Sequence, residues 1–239
     1  VNAVITATVI LMGLYLIGAL FGITTPVQLL EISRPTHPLL RQLLLKAPGT
    51  YHHTLIVSNM SERAAEAIGA DALLTRVGAY YHDVGKTIRP YFFVENRTEG
   101  ADPHSRLDPY TSAQVIITHV KDGIELARKY RLPERIIEFI PQHQGTLLVS
   151  YFYHQAVQQA GSAEAVDQAQ FRYPGPRPQT RETAITMLAD GAEATVRARH
   201  PASIEELEQI VGESIQNRLL AGQLDDCPLT MADLAGIRQ

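Results

Sequence analysis

Apolar residues in this chain recur at helical rather than strand spacing. Leu207, Ile210, Val211 and Ile215 fall on one stripe, the three-and-four spacing of an amphipathic helix. Ser203 followed by Glu206 makes a capping-box pattern just ahead of it, so a helix is expected over 204–220. Similar patterning predicts a short helix over 39–45 and longer ones over about 50–68, 110–130, 133–140, 146–159 and 181–199. Thr50 is the expected N-cap of the second, with Gly69 as its stop. Asp71 is the expected cap of another helix, one that carries His82 and Asp83. Residues 87–108, with Pro90, Gly100 and Pro103, read as irregular, and 171–180, with three prolines and a glycine, read as a loop. No stretch alternates as a strand. The expected fold class is all-α.

One segment departs from the amphipathic pattern. Residues 3–23, AVITATVILMGLYLIGALFGI, are apolar apart from two threonines and a tyrosine, and the first charged residue is Glu31. A helix of that length spans roughly 30 Å at about 1.5 Å per residue, the thickness of a bilayer core. The basic start and shorter apolar run of a signal peptide are missing. A transmembrane helix over 1–24 is therefore expected. A juxtamembrane connector over 25–48, punctuated by Pro26, Pro35, Pro38 and Pro48, would join it to a helical domain over 49–239. Arg34, Arg41 and Lys46 follow the span closely, which places that domain in the cytoplasm. Gly18 and Gly22 form a small-xxx-small pair able to pack on another helix. The chain begins with valine, as the tail of a longer membrane protein would. Upstream transmembrane helices of the same protein and a homo-oligomer are expected partners.

Composition narrows the function. With 239 residues, 45% of them hydrophobic, the chain can bury a substantial core. A formal net charge of −4 argues against binding a nucleic acid polymer. The single cysteine, Cys227, excludes an intrachain disulfide and fits a reducing compartment.

The candidate chemistry centres on the adjacent pair His82-Asp83. A carboxylate has two oxygens, so Asp83 could bridge two cations while His82 holds one of them. Further ligands must come from other helices, and His53, His119, His143 and Asp190 are candidates. His53 shares its stripe with Ile56, Val57 and Met60, whereas its neighbour His52 shares a more polar one, so His53 is the inward residue. His119 lies with Val115, Ile116 and Leu126. Asp190 shares a mixed face with Met187, Ala194, Glu193 and Arg197, and periodicity alone does not bury it. If it points inward it needs a metal or a cation such as Arg197. A lone histidine on an apolar face is commonly a satisfied core residue; it is the convergence of several around an adjacent His-Asp pair that favours a metal. Imidazole with carboxylate suits Mn, Fe or Zn. His37, His104, His154 and His200 lack this context and read as surface or loop residues.

The set His53, His82-Asp83, His119, His143 and Asp190 resembles the HD-domain metal-dependent phosphohydrolase superfamily. The blocks HPLLRQLLLKAPGTYHHT, HDVGKTIRPYFFVEN, HVKDGIELARKYRLP, QHQGT, FRYPGPRPQT and MLADGAEA are similar, in this order, to the cytoplasmic domain of seven-transmembrane HD hydrolases, the PgpH-type cyclic di-AMP phosphodiesterases. The resemblance covers roughly residues 34–235 and implies an HD-domain helical bundle, with the apolar span as the last transmembrane helix. It implies that His53, His82, Asp83 and Asp190 hold a first metal, and that Asp83 bridges to a second held also by His119 and His143. It makes Mn or Fe the expected pair of ions. One position departs: the family shows two successive histidines where this chain has His143-Gln144, and an amide oxygen is a weaker ligand than imidazole for a transition metal.

The implied reaction is hydrolysis of cyclic di-AMP to linear pApA by metal-activated hydroxide. Asp83 and Lys86 are the expected catalytic residues, Lys86 neutralising a phosphate oxygen. Arg89, Tyr173 and Arg177 are further candidates for phosphate contact or base stacking. Asp122, three residues from His119, is a candidate to orient that imidazole, or to balance Lys121 or Arg128. Other enzymatic substrates are a nucleotide monophosphate or a guanine-based dinucleotide, although the GYP tripeptide of the cyclic di-GMP branch is missing. A non-catalytic nucleotide sensor is the other class, with Gln144 as a first step of degeneration. Retention of both acids and four histidines weighs against it, and a scaffold would need no such ligands.

Overall fold

The computed structural model describes residues 2–21, 24–97 and 102–238; the side chains of residue 11 and residues 14–21 lie outside that description. The architecture is all-α. Among the described residues no strand forms, and one isolated antiparallel bridge joins Leu148 to Arg172. Helix α1 (Asn2–Phe21) covers most of the predicted span and exposes Val4, Ile5, Val9, Ile10 and Met12. Gly22, and with it the Gly18–Gly22 pairing, lies outside the described residues. Among those described, no helix is long and apolar enough to cross a membrane.

Two short helices follow, α2 (Pro26–Ile32) and α3 (Pro38–Lys46), each opened by a proline whose fixed φ suits a first turn. They bury Leu29, Ile32, Leu39, Leu40 and Leu43 in the same core as Val77, Tyr81, Ile136 and Phe139. The Tyr81 hydroxyl donates to the Ile32 carbonyl at 2.6 Å. The connector is therefore packed into the bundle.

Helix α4 (Pro48–Ala67) starts earlier than Thr50, because Pro48 opens it; Thr50 sits buried in its first turn rather than capping it. Helix α5 (Ala72–Tyr81) is capped by Asp71, as expected, whose carboxylate accepts from the Leu74 amide at 2.9 Å. It ends before the key pair. His82 is its C-cap, Asp83 follows at φ −112°, and a 3-10 turn occupies Val84–Thr87. Helix α6 (Pro109–Lys129) is close to expectation. The helix predicted over 133–140 divides into α7 (Glu134–Ile137) and α8 (Phe139–Gln142). Helix α9 begins only at Ser150 and runs to Ala160. Residues 147–149 are instead extended against the proline-rich loop, with the Val149 amide donating to Phe171 at 2.8 Å and Tyr173 to Leu147 at 3.0 Å.

Helices α10 (Arg181–Arg199) and α11 (Ile204–Leu220) match the sequence pattern. Half of the capping box forms: Ser203 accepts from the Glu206 amide at 3.2 Å, but the Glu206 carboxylate turns to the Ala202 amide at 2.8 Å. Helix α12 (Met231–Ile237), capped by Thr230 and Asp233, was not expected.

Helix α4 packs on α5 and α10, while the 84–87 turn lies against α6. Gly85 makes that last approach possible, since a Cβ there would lie 1.8 Å from the His119 carbonyl oxygen and 2.6 Å from the Gly123 nitrogen. The absent side chain lets the segment carrying Asp83 cross the helix carrying His119 at backbone contact.

Candidate metal centre

Five elements bring the predicted ligands together. His53 comes from α4, His82 and Asp83 from the end of α5, His119 from α6, His143 from the end of α8 and Asp190 from α10. All but Asp190 are buried, and its side chain is only 16% exposed. Asp83 stands at the centre. Its Oδ2 lies 3.6 Å from His53 Nε2 and 3.3 Å from His82 Nε2, while its Oδ1 lies 3.3 Å from His119 Nε2 and 3.5 Å from His143 Nε2. Asp190 Oδ1 joins the first set, 3.0 Å from His53 Nε2 and 3.8 Å from His82 Nε2. Two groups of donor atoms result, each with all members within 4.8 Å of one another: His53, His82, Asp83 and Asp190, then Asp83, His119 and His143.

Backbone geometry fixes which nitrogen each ring presents. His82, His119 and His143 donate Nδ1–H to the carbonyls of Ala79, Ile116 and Ile140, at 2.7, 2.6 and 2.7 Å. Each acceptor is three residues back, so the preceding helical turn holds the imidazole and aims Nε2 at Asp83. Those three Nε2 atoms are buried without a hydrogen-bond partner. Buried polar atoms are normally paired, and three unpaired nitrogens facing one carboxylate are a donor set fitted to metal. His53 is held differently, its Nδ1 lying 2.7 Å from Glu193 Oε2, the carboxylate–imidazole arrangement that orients metal ligands.

Charge separates sharply here. Burial pushes the Asp83 and Asp190 carboxyls up, yet Lys86 with the imidazoles of His82, His119 and His143 at Asp83, and those of His53 and His82 at Asp190, outweigh it and hold both well below the usual range. Burial opposes charging of His82, but Asp83 and Asp190 lift it to about 10. For His143 burial prevails and lowers the pKa, favouring the neutral form a metal needs.

Lys86 stands at the edge of the cluster, its Nζ 2.7 Å from Asp83 Oδ2 and 2.9 Å from Glu95 Oε1. Tyr173 is buried with its ring edge-on to His119, centroids 6.0 Å apart. The other cations are engaged elsewhere. Arg89 pairs with Asp122, and Arg177 pairs with Asp225 and Asp226 and donates to the Gly222 carbonyl. Asp122 therefore does not orient His119; the Ile116 carbonyl does. Arg197 lies 3.2 Å from Glu193 rather than pairing with Asp190. Gln144 is half-buried on the turn after His143. His104, expected as a surface or loop residue, lies in a short turn of the irregular 87–108 segment but is buried, its Nε2 donating to the Phe92 carbonyl at 3.0 Å with its ring against Phe152. His154 and His200 are exposed, and His37 is half-buried against Tyr81. Sequence inspection missed Glu193 and Glu95. Glu193 lies one turn beyond Asp190 on the same face, a signal that could have found it.

Comparison with known proteins agrees with this geometry. The HD domain family model matches residues 50–195. The cyclic-di-AMP phosphodiesterase PgpH of Bacillus subtilis is 45% identical over 214 residues, covering 90% of this chain and 30% of that protein. The protein of the same name in Listeria monocytogenes is 43% identical over 223 residues, covering 93% of this chain and 31% of that protein. The chain thus spans just under a third of the length of these relatives. The crystal structure of the L. monocytogenes PgpH HD domain in complex with cyclic-di-AMP superposes with a TM-score of 0.81 at 44% identity, covering 86% of this chain and 94% of that one.

The shared carboxylate predicts unequal effects on metal content, read by elemental analysis of purified protein. Asp83→Ala, which cuts into both groups, is expected to lose nearly all bound metal, whereas His119→Ala retains one ion per chain. Equal metal content in both variants and the parent would exclude this centre as the binding site.

Proposed function

The chain belongs to the HD-domain family, and on that premise we propose that it is a metal-dependent phosphodiesterase hydrolysing cyclic di-AMP to linear pApA. The observation that carries this is Asp83, whose two oxygens face two separate groups of buried donors. In this assignment His53, His82, Asp83 and Asp190 hold one divalent ion, and Asp83, His119 and His143 hold the other. Imidazole and carboxylate together favour Mn or Fe. A pair of such ions, when bound, would supply Lewis acidity toward the phosphate and a water ionised near neutral pH. Relatives that carry the name and a solved relative in complex with cyclic-di-AMP support the choice of substrate.

The chain's own residues supply placement. The helical carbonyls of Ala79, Ile116 and Ile140 hold three imidazoles in the tautomer that leaves Nε2 free to ligate. Glu193 does the same for His53. Lys86, one turn beyond Asp83, offers a cation to a phosphate oxygen. Tyr173 adjoins His119 and gives an aromatic wall for a base. A phosphate contact from Arg89 or Arg177 requires opening their present ion pairs, so Lys86 and Tyr173 come first.

The apolar run over 3–23 and the exposed Val4, Ile5, Val9, Ile10 and Met12 support a membrane tether, and Arg34, Arg41 and Lys46 just after it support a catalytic domain on the cytoplasmic side. Fractionation of expressing cells is expected to place the full chain in the membrane pellet and a 25–239 truncation in the supernatant. Recovery of both in the supernatant would remove the tether.

For the reaction itself, purified protein with Mn²⁺ and cyclic di-AMP is expected to yield pApA by chromatography, and chelation to abolish it. Lys86→Ala is expected to lower turnover by about 100–1,000-fold with metal content intact, a typical cost for losing one charge-stabilising donor. Preferential cleavage of cyclic di-GMP in a parallel assay would shift the substrate, and binding without cleavage would make the domain a sensor.

A further inference from the structure

The segment Phe93–Asn96 touches His119 through Phe93 and Lys86 through Glu95 without supplying a ligand. Glu95, in the 3-10 turn Val94–Asn96, has a side chain only 8% exposed. Its Oε1 accepts from Lys86 Nζ at 2.9 Å and from the Thr50 hydroxyl at 3.0 Å. Asn96 clamps the same threonine, accepting from its amide at 3.0 Å and donating to its hydroxyl at 2.7 Å. Phe93 lays its ring 5.1 Å from Lys86 Nζ and stands edge-on to His119, centroids 5.6 Å apart. Gly49 admits this docking, because a Cβ there would lie 1.8 Å from the Glu95 carbonyl oxygen. Backbone, amide and ring thus seat the segment on the first turn of α4, one turn before His53.

An ammonium group has three N–H donors. Lys86 forms an ion pair with Asp83 Oδ2, 2.7 Å away, and donates one N–H to Glu95 Oε1 at 2.9 Å. Asp83 Oδ2 is also the oxygen that faces His53 and His82. Were Glu95 absent, the Lys86 charge would be drawn wholly onto that oxygen, in competition with whatever the first donor group holds. A second carboxylate on the opposite side divides the attraction and leaves one N–H uncommitted.

We propose that Glu95 is a positioning residue that holds the Lys86 ammonium beside, rather than on, the Asp83 oxygen, so that its third N–H meets a phosphate oxygen of the substrate. This builds on the assignment of Lys86 as the phosphate contact. Glu95 also accepts from the Thr50 hydroxyl and lies 3.9 Å from Arg197; its effect on hydrolysis runs through Lys86, and that distinguishes it from a residue that merely stabilises the fold.

The full chain and its Glu95→Ala, Glu95→Gln, Lys86→Ala and doubly substituted Lys86→Ala/Glu95→Ala variants test this. Hydrolysis of cyclic di-AMP and of bis(p-nitrophenyl) phosphate is followed alongside bound metal and melting temperature. Glu95→Ala is expected to reduce kcat/KM by about 10–100-fold, the usual range for residues that orient a functional group, with metal content unchanged. Glu95→Gln, which keeps an oxygen for Lys86 but no charge, falls between parent and Ala. The double variant is expected to be no slower than Lys86→Ala alone, since the two residues act as one unit. Additive losses, or metal lost from Glu95→Ala, would overturn the proposal. An activity-independent arm measures acylation of Lys86 by an amine-reactive ester, read by mass spectrometry. Lys86 is expected to label several-fold faster in Glu95→Ala than in the parent, and equal rates would also overturn it. A parent that cleaves neither substrate would defeat the phosphodiesterase reading, while the labelling rates still decide whether Glu95 holds Lys86.

Discussion

Burial of a carboxylate among four imidazoles is the constraint around which this fold is built. Removing ionisable groups from water is costly unless each finds a partner. Asp83 is 1% exposed and His82 is fully buried. The chain meets the cost in two ways. Carbonyls three residues back satisfy one nitrogen of each of three rings, and Lys86 balances part of the charge on Asp83. The Nε2 atoms of these three rings and both oxygens of Asp83 are left without a hydrogen-bond partner, and they face one another.

That arrangement dictates features that look unrelated to chemistry. Helix α5 must stop at Tyr81, for a continued helix would turn His82 and Asp83 about 100° apart. Gly85 must lack a side chain for the next turn to reach α6. Tyr81, immediately before the pair, is fully buried and anchored to the Ile32 carbonyl, so the apolar core formed with α2 and α3 fixes where α5 ends. Packing sets the geometry of the cluster, which tolerates little movement because its donors come from five different elements.

Local signals were legible where local physics decides. Helices α10 and α11 ended where periodicity placed them, and the Asp71 cap formed. His53 faced inward because its stripe is apolar. The sequence failed where a distant partner decides. Residues 146–149 carry helical residues, yet pairing with the 171–173 loop holds 147–149 extended. Asp190 has a mixed face, and only its contacts with His53 and His82 draw it in. Asp122 had a plausible role three residues from His119, but Arg89, 33 positions away, claimed it. His104 lacked an apolar stripe and was buried by Phe92 and Phe152, from other segments. The buried donor cluster was legible because its residue types are rare together and, for Asp190, because MLADGAEA resembles the family's block, whereas the groups that orient it were hidden because glutamates and carbonyls are common.

Anomalous diffraction at the manganese edge from crystals of the Mn²⁺-loaded protein tests the central claim most directly. Two peaks are expected, one within bonding distance of each Asp83 oxygen, the first also touching His53, His82 and Asp190 and the second His119 and His143. Peaks away from Asp83, or none at full manganese loading, would contradict it.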